Sequence, residues 1–124
     1  MNMAQGAGHD FTTGLLWDAG GDDTYHAPNL SLGAGNANGI GIFRDDAGRD
    51  TYDVSAETTL GRANSSAPGS LRFDLLCLGV FLYSGGDDIY PAAKTGIGNG
   101  SIWLQPPPQD SASAFARGVG RDVP

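Results

Sequence analysis

The chain of 124 residues has little cysteine, histidine or positive charge, and it lacks long apolar runs. Its single cysteine, Cys77, permits no disulfide framework, and its two histidines, His9 and His26, lack the spacing of a zinc site. No signal peptide is evident, and no apolar stretch reaches membrane-spanning length. The sequence contains 7 Lys and Arg residues and 14 Asp and Glu residues, so its net charge is −7. This balance argues against nucleic acid and anionic membrane surfaces as partners and favours cations.

Helical periodicity is also missing, and the apolar residues instead form short segments bounded by Gly and Asp. These segments predict strands at Gly14–Trp17, Gly39–Phe43, Leu75–Tyr83 and Ser101–Leu104. The 20 glycines follow no three-residue period, which excludes collagen, and the well-formed apolar segments exclude simple disorder. We therefore expect an all-β protein.

One phrase occurs three times, at residues 18–25, 45–52 and 83–90, and each copy ends in tyrosine. Residues 5–25 align without a gap on residues 32–52, so the first period runs from Tyr25 to Tyr52. Such self-similarity is the signature of a repeat protein.

The third copy is longer than this period, because the next repeated tyrosine, Tyr90, follows Tyr52 at a greater separation than Tyr52 follows Tyr25. The turn-forming composition of Arg62–Ser70 predicts a loop insertion there. We predict a repeat region over 1–104, followed by a Pro-rich tail over 105–124. Its copies span 5–25, 32–52, 60–90 and, in part, 95–104.

The repeat predicts a parallel β-helix, or β-solenoid, of about three to four coils with one loop insertion. Equivalent residues of successive coils would lie about 4.8 Å apart, which would place Tyr25, Tyr52 and Tyr90 in one ladder. An antiparallel β-sandwich with hairpins at the Gly-Gly-Asp-Asp turns is the alternative.

Stacked coils would bring the carboxylates of the turns close together, where they would repel one another unless cations or hydrogen bonds intervened. Turns rich in carboxylates and free carbonyls are hard-ligand sites that favour Ca²⁺. The candidate calcium ligands are Asp18, Asp22, Asp23, Asp45, Asp46, Asp50, Asp87 and Asp88. In the alternative interpretation, each Asp only caps local backbone N–H groups.

The segments 20–25, 47–52 and 85–90 resemble the Gly-Gly-x-Gly-x-Asp repeats of RTX-type calcium-binding proteins. The unit as a whole is more similar to tandem-repeat bacterial β-solenoid proteins with a Gly-Gly-Asp-Asp-x-Tyr pattern. The first resemblance implies calcium at the turns, although RTX repeats recur at a much shorter period. The second implies a repeat fold and no particular activity.

No nucleophile–base pair or metal-binding histidine pair is evident, so we predict a non-enzymatic structural protein of the cell surface or extracellular space. Self-association through the coil ends into a filament or array is the expected interaction. The alternative is a carbohydrate-binding or carbohydrate-active module, in which Trp17 and Trp103 would contact a polysaccharide.

Overall fold

A computed structural model describes residues 3–55, 58–92, 96–105 and 115–123. These residues form ten strands and no helix. The strands are β1 Gly8–His9, β2 Thr13–Asp18, β3 Thr24–Ala27, β4 Gly35–Asn36, β5 Ile40–Asp45, β6 Thr51–Val54, β7 Ala63–Asn64, β8 Cys77–Ser84, β9 Ile102–Leu104 and β10 Ala116–Val123. All four strands predicted from the apolar segments are present. Thr95, where the fourth copy was expected to begin, and residues 106–114 and 124 of the predicted tail lie outside the described residues.

The strands form three sheets, with orders β1-β4-β7, β2-β5-β8-β10-β9 and β3-β6. The first two repeats pair in parallel at the predicted period, since Leu16 lies beside Phe43 and Tyr25 lies beside Tyr52. The third repeat follows in the same register, with Phe43 beside Phe81. Each repeat therefore contributes one layer to the molecule, and the layers stack in chain order.

The predicted parallel β-helix of three to four coils is wrong, because the largest sheet is mixed and the sheets form no closed solenoid. The fourth strand of the parallel ladder is β10, which pairs with β8 from Ala116–Cys77 to Val123–Ser84. Strand β9, expected to continue the ladder, instead pairs antiparallel with β10 at the sheet edge. The sandwich alternative is also wrong, since every other strand pairing is parallel.

The insertion in the third repeat begins later than the sequence predicted. Ala63 and Asn64, inside the predicted loop, form β7 and pair with Gly35 and Asn36. The sequence separation between the paired residues of β4 and β7 is close to the separation between the first two repeats. The next pairing along the chain joins Ile40 to Leu78, which is a much larger separation. The extra residues therefore lie between Asn64 and Cys77.

The core consists of two stacks of aromatic rings that run across the layers. Tyr25, Tyr52 and Tyr90 stack with centroid separations of 5.3 and 4.9 Å, which confirms the predicted ladder. Phe43 and Phe81 form the second stack at 5.0 Å, and both are fully buried. Because the two stacks meet edge to face, each layer buries aromatic surface both within itself and against its neighbour.

Two inward-facing glycines are required by close approach rather than by backbone conformation. A Cβ at Gly79 would lie 2.2 Å from the Arg62 carbonyl oxygen, because another segment of backbone crosses there. At Gly120 a Cβ would overlap the indole ring of Trp103. The described residues contain no helix that is long and apolar enough to cross a membrane.

Candidate functional site

The predicted calcium ligands lie along the turns between the large sheet and the β3-β6 sheet, and two of them cap the backbone of the preceding layer. Asp50 Oδ1 accepts a 2.7 Å hydrogen bond from the N–H of Asp23. Asp88 Oδ1 does the same for the N–H of Asp50, and Asn99 Oδ1 accepts from the N–H of Asp88 at 2.8 Å. Each layer thus satisfies one backbone donor of the layer before it. We call Asp23, Asp50 and Asp88 the capping column.

Asp18 and Asp45 belong to a second column, the inner column, which also contains Tyr83 and Asp122 in register. The Tyr25 hydroxyl lies 2.6 Å from Asp45 Oδ2 and 3.1 Å from Asp18 Oδ2. Asp18 also accepts from the N–H of Gly20, and Asp45 from that of Ala47. Neighbouring carboxylates therefore share protein donors.

The remaining candidates, Asp22, Asp46 and Asp87, lie nearer the solvent. Asp22 Oδ1 accepts the Arg49 N–H at 2.9 Å, so its partner is the backbone of the next layer. Asp46 accepts from Trp17 Nε1 at 2.8 Å and from Arg44 Nε at 2.5 Å. Asp87 is exposed. Within the described part of the chain, no three acidic, histidine or cysteine side chains are grouped so that they could hold a metal ion. Calcium binding stays a prediction.

Buried carboxylates give the turn region unusual electrostatics. Asp45, Asp50, Asp88 and Asp122 are each at most 7% exposed. Burial raises the pKa of Asp50 to about 7 against the opposing hydrogen bond from Asp23, and the charges of Asp45 and Asp88 add to the rise. Burial likewise raises the pKa of Asp88 to about 6. The folded protein therefore holds protons on these groups at a pH where an unfolded chain would have lost them.

Some oxygen atoms in this region have no hydrogen-bond partner among the described residues. They are Asp50 Oδ2, Asp88 Oδ2 and the hydroxyl of Tyr52. The cause for Tyr52 is visible in the register. Tyr25 and Tyr90 reach Asp45 and Asp122 in the inner column, whereas the third layer places Tyr83 at that position.

Sequence reasoning missed Tyr83 and Asp122 as members of the inner column. The Tyr83 hydroxyl lies 2.6 Å from the Gly48 carbonyl oxygen and 2.7 Å from that of Gly85, so it donates to the turn backbone. Asp122 accepts from the Tyr90 hydroxyl at 2.6 Å. The alternation of Gly118, Gly120 and Asp122 with larger residues is the sequence signal for this strand. The signal is weak because the inward positions carry no large apolar side chain.

The first layer leaves one end of the molecule open. Strands β1, β2 and β3 are each the edge strand of their sheet. On β2, Leu15 and Trp17 are both 64% exposed and Leu16 is only half-buried. The carboxylate of Asp23, at the open end of the capping column, receives no N–H from any described residue. This end therefore presents unpaired strand edges beside apolar side chains.

The opposite end of the large sheet is closed by Trp103 on β9. Its ring is 6% exposed and lies 5.5 Å from that of Phe81, so it covers the end of the phenylalanine stack. Its Nε1 donates to the Leu60 carbonyl oxygen at 3.1 Å. Antiparallel β9 also stops the parallel ladder. The two ends are therefore chemically different.

The sequence matches no known family model, and comparison with curated proteins and with solved structures finds no match. The function must therefore be argued from the geometry alone. Both histidines are exposed. His26 Nδ1 pairs with Asp53 and His9 Nδ1 with Asn36, each at 2.8 Å.

Proposed function

We propose that the protein is a non-enzymatic structural module that pairs with a second copy of itself through its open end. The observation that carries this proposal is the unfilled edge of the first layer, where β2 has a strand partner among the described residues on one side only. Such an edge is a template for another strand, and no charged side chain on the outward positions of β2 blunts it. Leu15 and Trp17 would be buried by the pairing.

The closed end supports a two-copy complex over a filament. A filament that continued the parallel ladder would need two matching ends, whereas at the other end Trp103 covers the phenylalanine stack and the edge strand β9 runs antiparallel to the ladder. Two open ends related by a two-fold axis would pair β2 of one copy with β2 of the other. The same axis would bring the residues at equivalent positions of β2 close together across the interface.

The carbohydrate-binding alternative receives less support from these contacts. Binding a polysaccharide by stacking needs a line of exposed aromatic rings, and burial of Trp103 leaves Trp17 as the one exposed tryptophan of the two. Trp17 is itself held by its hydrogen bond to Asp46 and lies beneath the Arg44 guanidinium. A location outside the cell stays a prediction.

Sedimentation-velocity ultracentrifugation from about 1 to 100 µM tests the pairing. We expect a monomer–dimer equilibrium that Leu15→Lys weakens about tenfold, since the two-fold axis brings the new charges together. Leu104→Lys is the matched control, because Leu104 is 71% exposed on the same side of the sheet as Leu15, at the opposite edge. It should leave the equilibrium unchanged.

A wild-type monomer throughout this concentration range would overturn the proposal. Equal loss of dimer in both variants would also contradict it, because the interface would then not be specific to the open end. Circular dichroism and a thermal melt of each variant would establish that neither substitution unfolds the chain.

A further inference from the structure

The solvent side of the large sheet carries a continuous aliphatic row. One outward-facing residue from each strand lies beside the next across all five strands. The row consists of Leu15, Ile42, Val80, Val119 and Leu104. The two outer members are 64% and 71% exposed, and the three between them are partly exposed. We call this side of the sheet the outer face. Strand spacing makes the row about 20 Å long.

Positive charge is concentrated on the outer face of this acidic protein. Arg44, Arg117 and Arg121 flank the aliphatic row, and they are three of only 7 Lys and Arg residues in the chain. No outward-facing side chain within the five strands is a carboxylate. Asp46, in the turn after β5, neutralises Arg44. Arg117 and Arg121 form no ion pair with the described residues, so the outer face is cationic.

A shallow cavity at one side of the face brings positive charge and apolar surface together. It has a volume of about 250 Å³. Arg44, Leu82, Ser84, Arg121 and Val123 line it together with Asp45, Asp46 and Tyr83, and Asp46 is the carboxylate that pairs with Arg44. In the strand register Leu82 lies between the two arginines, and it is 37% exposed. An anionic group above Leu82 would be within reach of Arg121, while the aliphatic row would contact hydrocarbon beside it.

We propose that the outer face binds the surface of a lipid bilayer that contains anionic headgroups. The proposal does not require pairing at the open end, although Leu15 and Trp17 belong to both surfaces. Arginines would attract the headgroups, and the exposed Leu82, Ile102 and Leu104 would enter the boundary between headgroups and acyl chains. Trp17, at the rim, has the amphipathic ring that suits this boundary.

Charge complementarity favours this partner over a second copy on the same face. Two outer faces packed together would bring Arg117 and Arg121 of both copies into one interface that has no spare carboxylate. The net charge of −7 argued against an anionic membrane only because no basic face was evident in the sequence. The strands supply such a face, whereas Asp22, Asp53 and Asp87 are exposed at turns and on β6, away from it.

Cosedimentation with large unilamellar vesicles in 0.1 M salt tests the proposal. Vesicles of phosphatidylcholine with about 30% phosphatidylserine should bind the protein, and pure phosphatidylcholine should bind it more weakly. The double variant Arg117→Glu/Arg121→Glu should lose about 30-fold or more in partition coefficient, because each basic residue near an anionic surface contributes about fivefold. Arg49→Glu is the matched control, since exposed Arg49 lies in a turn outside the face.

Leu82→Asp tests the apolar part of the face and should also reduce binding to the anionic vesicles. Inorganic phosphate at 10 mM distinguishes a free-anion site from a membrane site. If phosphate shifts the melting temperature and vesicles do not bind, the membrane proposal is overturned. An equal loss of vesicle binding in the Arg49→Glu control would also overturn it. So would a Leu82→Asp variant that loses the dimer while the wild-type protein does not bind the vesicles. Sedimentation of the same variants without lipid reports on pairing separately.

Discussion

The open and closed ends of the large sheet differ although both terminate a stack of similar layers. At the open end, Leu16 is half-buried beside the exposed Leu15 and Trp17. At the closed end, Trp103 covers the last phenylalanine and donates its N–H to a backbone oxygen. A repeated sequence therefore does not give equivalent ends. What decides each end is whether a large side chain covers the last layer of the core.

The largest effect should come from removing the closed end's cover. We expect Trp103→Ala to lower the free energy of unfolding by about 3–5 kcal/mol, because it empties a buried site against Phe81. Leu16→Ala at the open end should cost about 1–2 kcal/mol, since Leu16 already contacts solvent. Urea denaturation followed by fluorescence and circular dichroism measures both values. Equal losses would show that the two ends are energetically alike.

The capping column gives a second contrast, between a layer at the open end and the layers inside. The folded-state pKa values of Asp50 and Asp88, about 7 and about 6, exceed the ordinary value of 3.8. The contribution of these two protonated carboxyl groups to the free energy of unfolding is therefore fully present below about pH 4. It is lost as the pH rises to about 7, because the unfolded chain releases the protons of Asp50 and Asp88 at lower pH than the folded chain does. We expect a loss of about 4 kcal/mol from Asp50 alone. Thermal and urea unfolding from pH 4 to pH 8 measures it.

Asp50→Asn should remove much of this pH dependence and stabilise the protein at pH 8. The amide oxygen of Asn can still accept the Asp23 N–H, while the ionisable group is gone. Asp23→Asn is the matched control, because Asp23 holds the same position of the capping column in the open layer, where its carboxylate caps no backbone N–H of a preceding layer among the described residues. A profile that stays steep in Asp50→Asn would assign the proton uptake to other groups.

The tyrosines give a third contrast, in which one chemical change has two outcomes. Tyr83→Phe removes the hydroxyl that donates to the turn backbone and should cost about 1–2 kcal/mol. Tyr52→Phe removes a hydroxyl that has no partner among the described residues, and it should be neutral or slightly stabilising. Urea unfolding of both variants measures the change in the free energy of unfolding that each substitution causes. A large loss in Tyr52→Phe would reveal a partner for that hydroxyl.

Calcium should have the smallest effect. In the capping column, Asp50 and Asp88 are buried and each uses its Oδ1 on a backbone N–H group, so exposed Asp22 and Asp87 are the most accessible of the predicted ligands. A calcium ion bound there raises the melting temperature by mass action, and a chelator reverses the shift. The measurement is a thermal melt at 0 and 5 mM CaCl₂, with MgCl₂ as the control. No shift would leave backbone capping as the only role of these aspartates.

The part of the fold that could be predicted from the sequence is the part that repeats. The gapless alignment of the first two copies predicted the pairing of Tyr25 with Tyr52 and of Leu16 with Phe43. The same alignment places Trp17 beside Arg44, and both side chains face outward. These successes share one cause, since identical side chains at a fixed period can stack only in register.

The misses lie where the repeat ends. Strand β10 presents Ala116, Gly118 and Gly120 inward, so it lacks the apolar alternation that predicts a strand. Gly120 is needed because Trp103 occupies the space, a contact that only the folded chain defines. The presence of Tyr83 at the inner-column position, where the other layers have Asp, could not be predicted either. The sequence does not show that its hydroxyl can reach backbone oxygens. Whether the aspartates of the turns bind calcium could not be predicted from composition, since backbone capping and metal binding use the same carboxylates.

The placement of β10 between β8 and β9 imposes an order on folding. Ala116 pairs with Cys77, which lies far earlier in the chain, while the strand pairing of β9 within the described residues is with β10 alone. During synthesis the first three layers can assemble as they leave the ribosome, but β9 must wait until a later segment arrives. Such non-local pairing slows folding. The intermediate that precedes it exposes the edge of β8 and the end of the phenylalanine stack, which makes this the interval in which the nascent chain is most prone to aggregate.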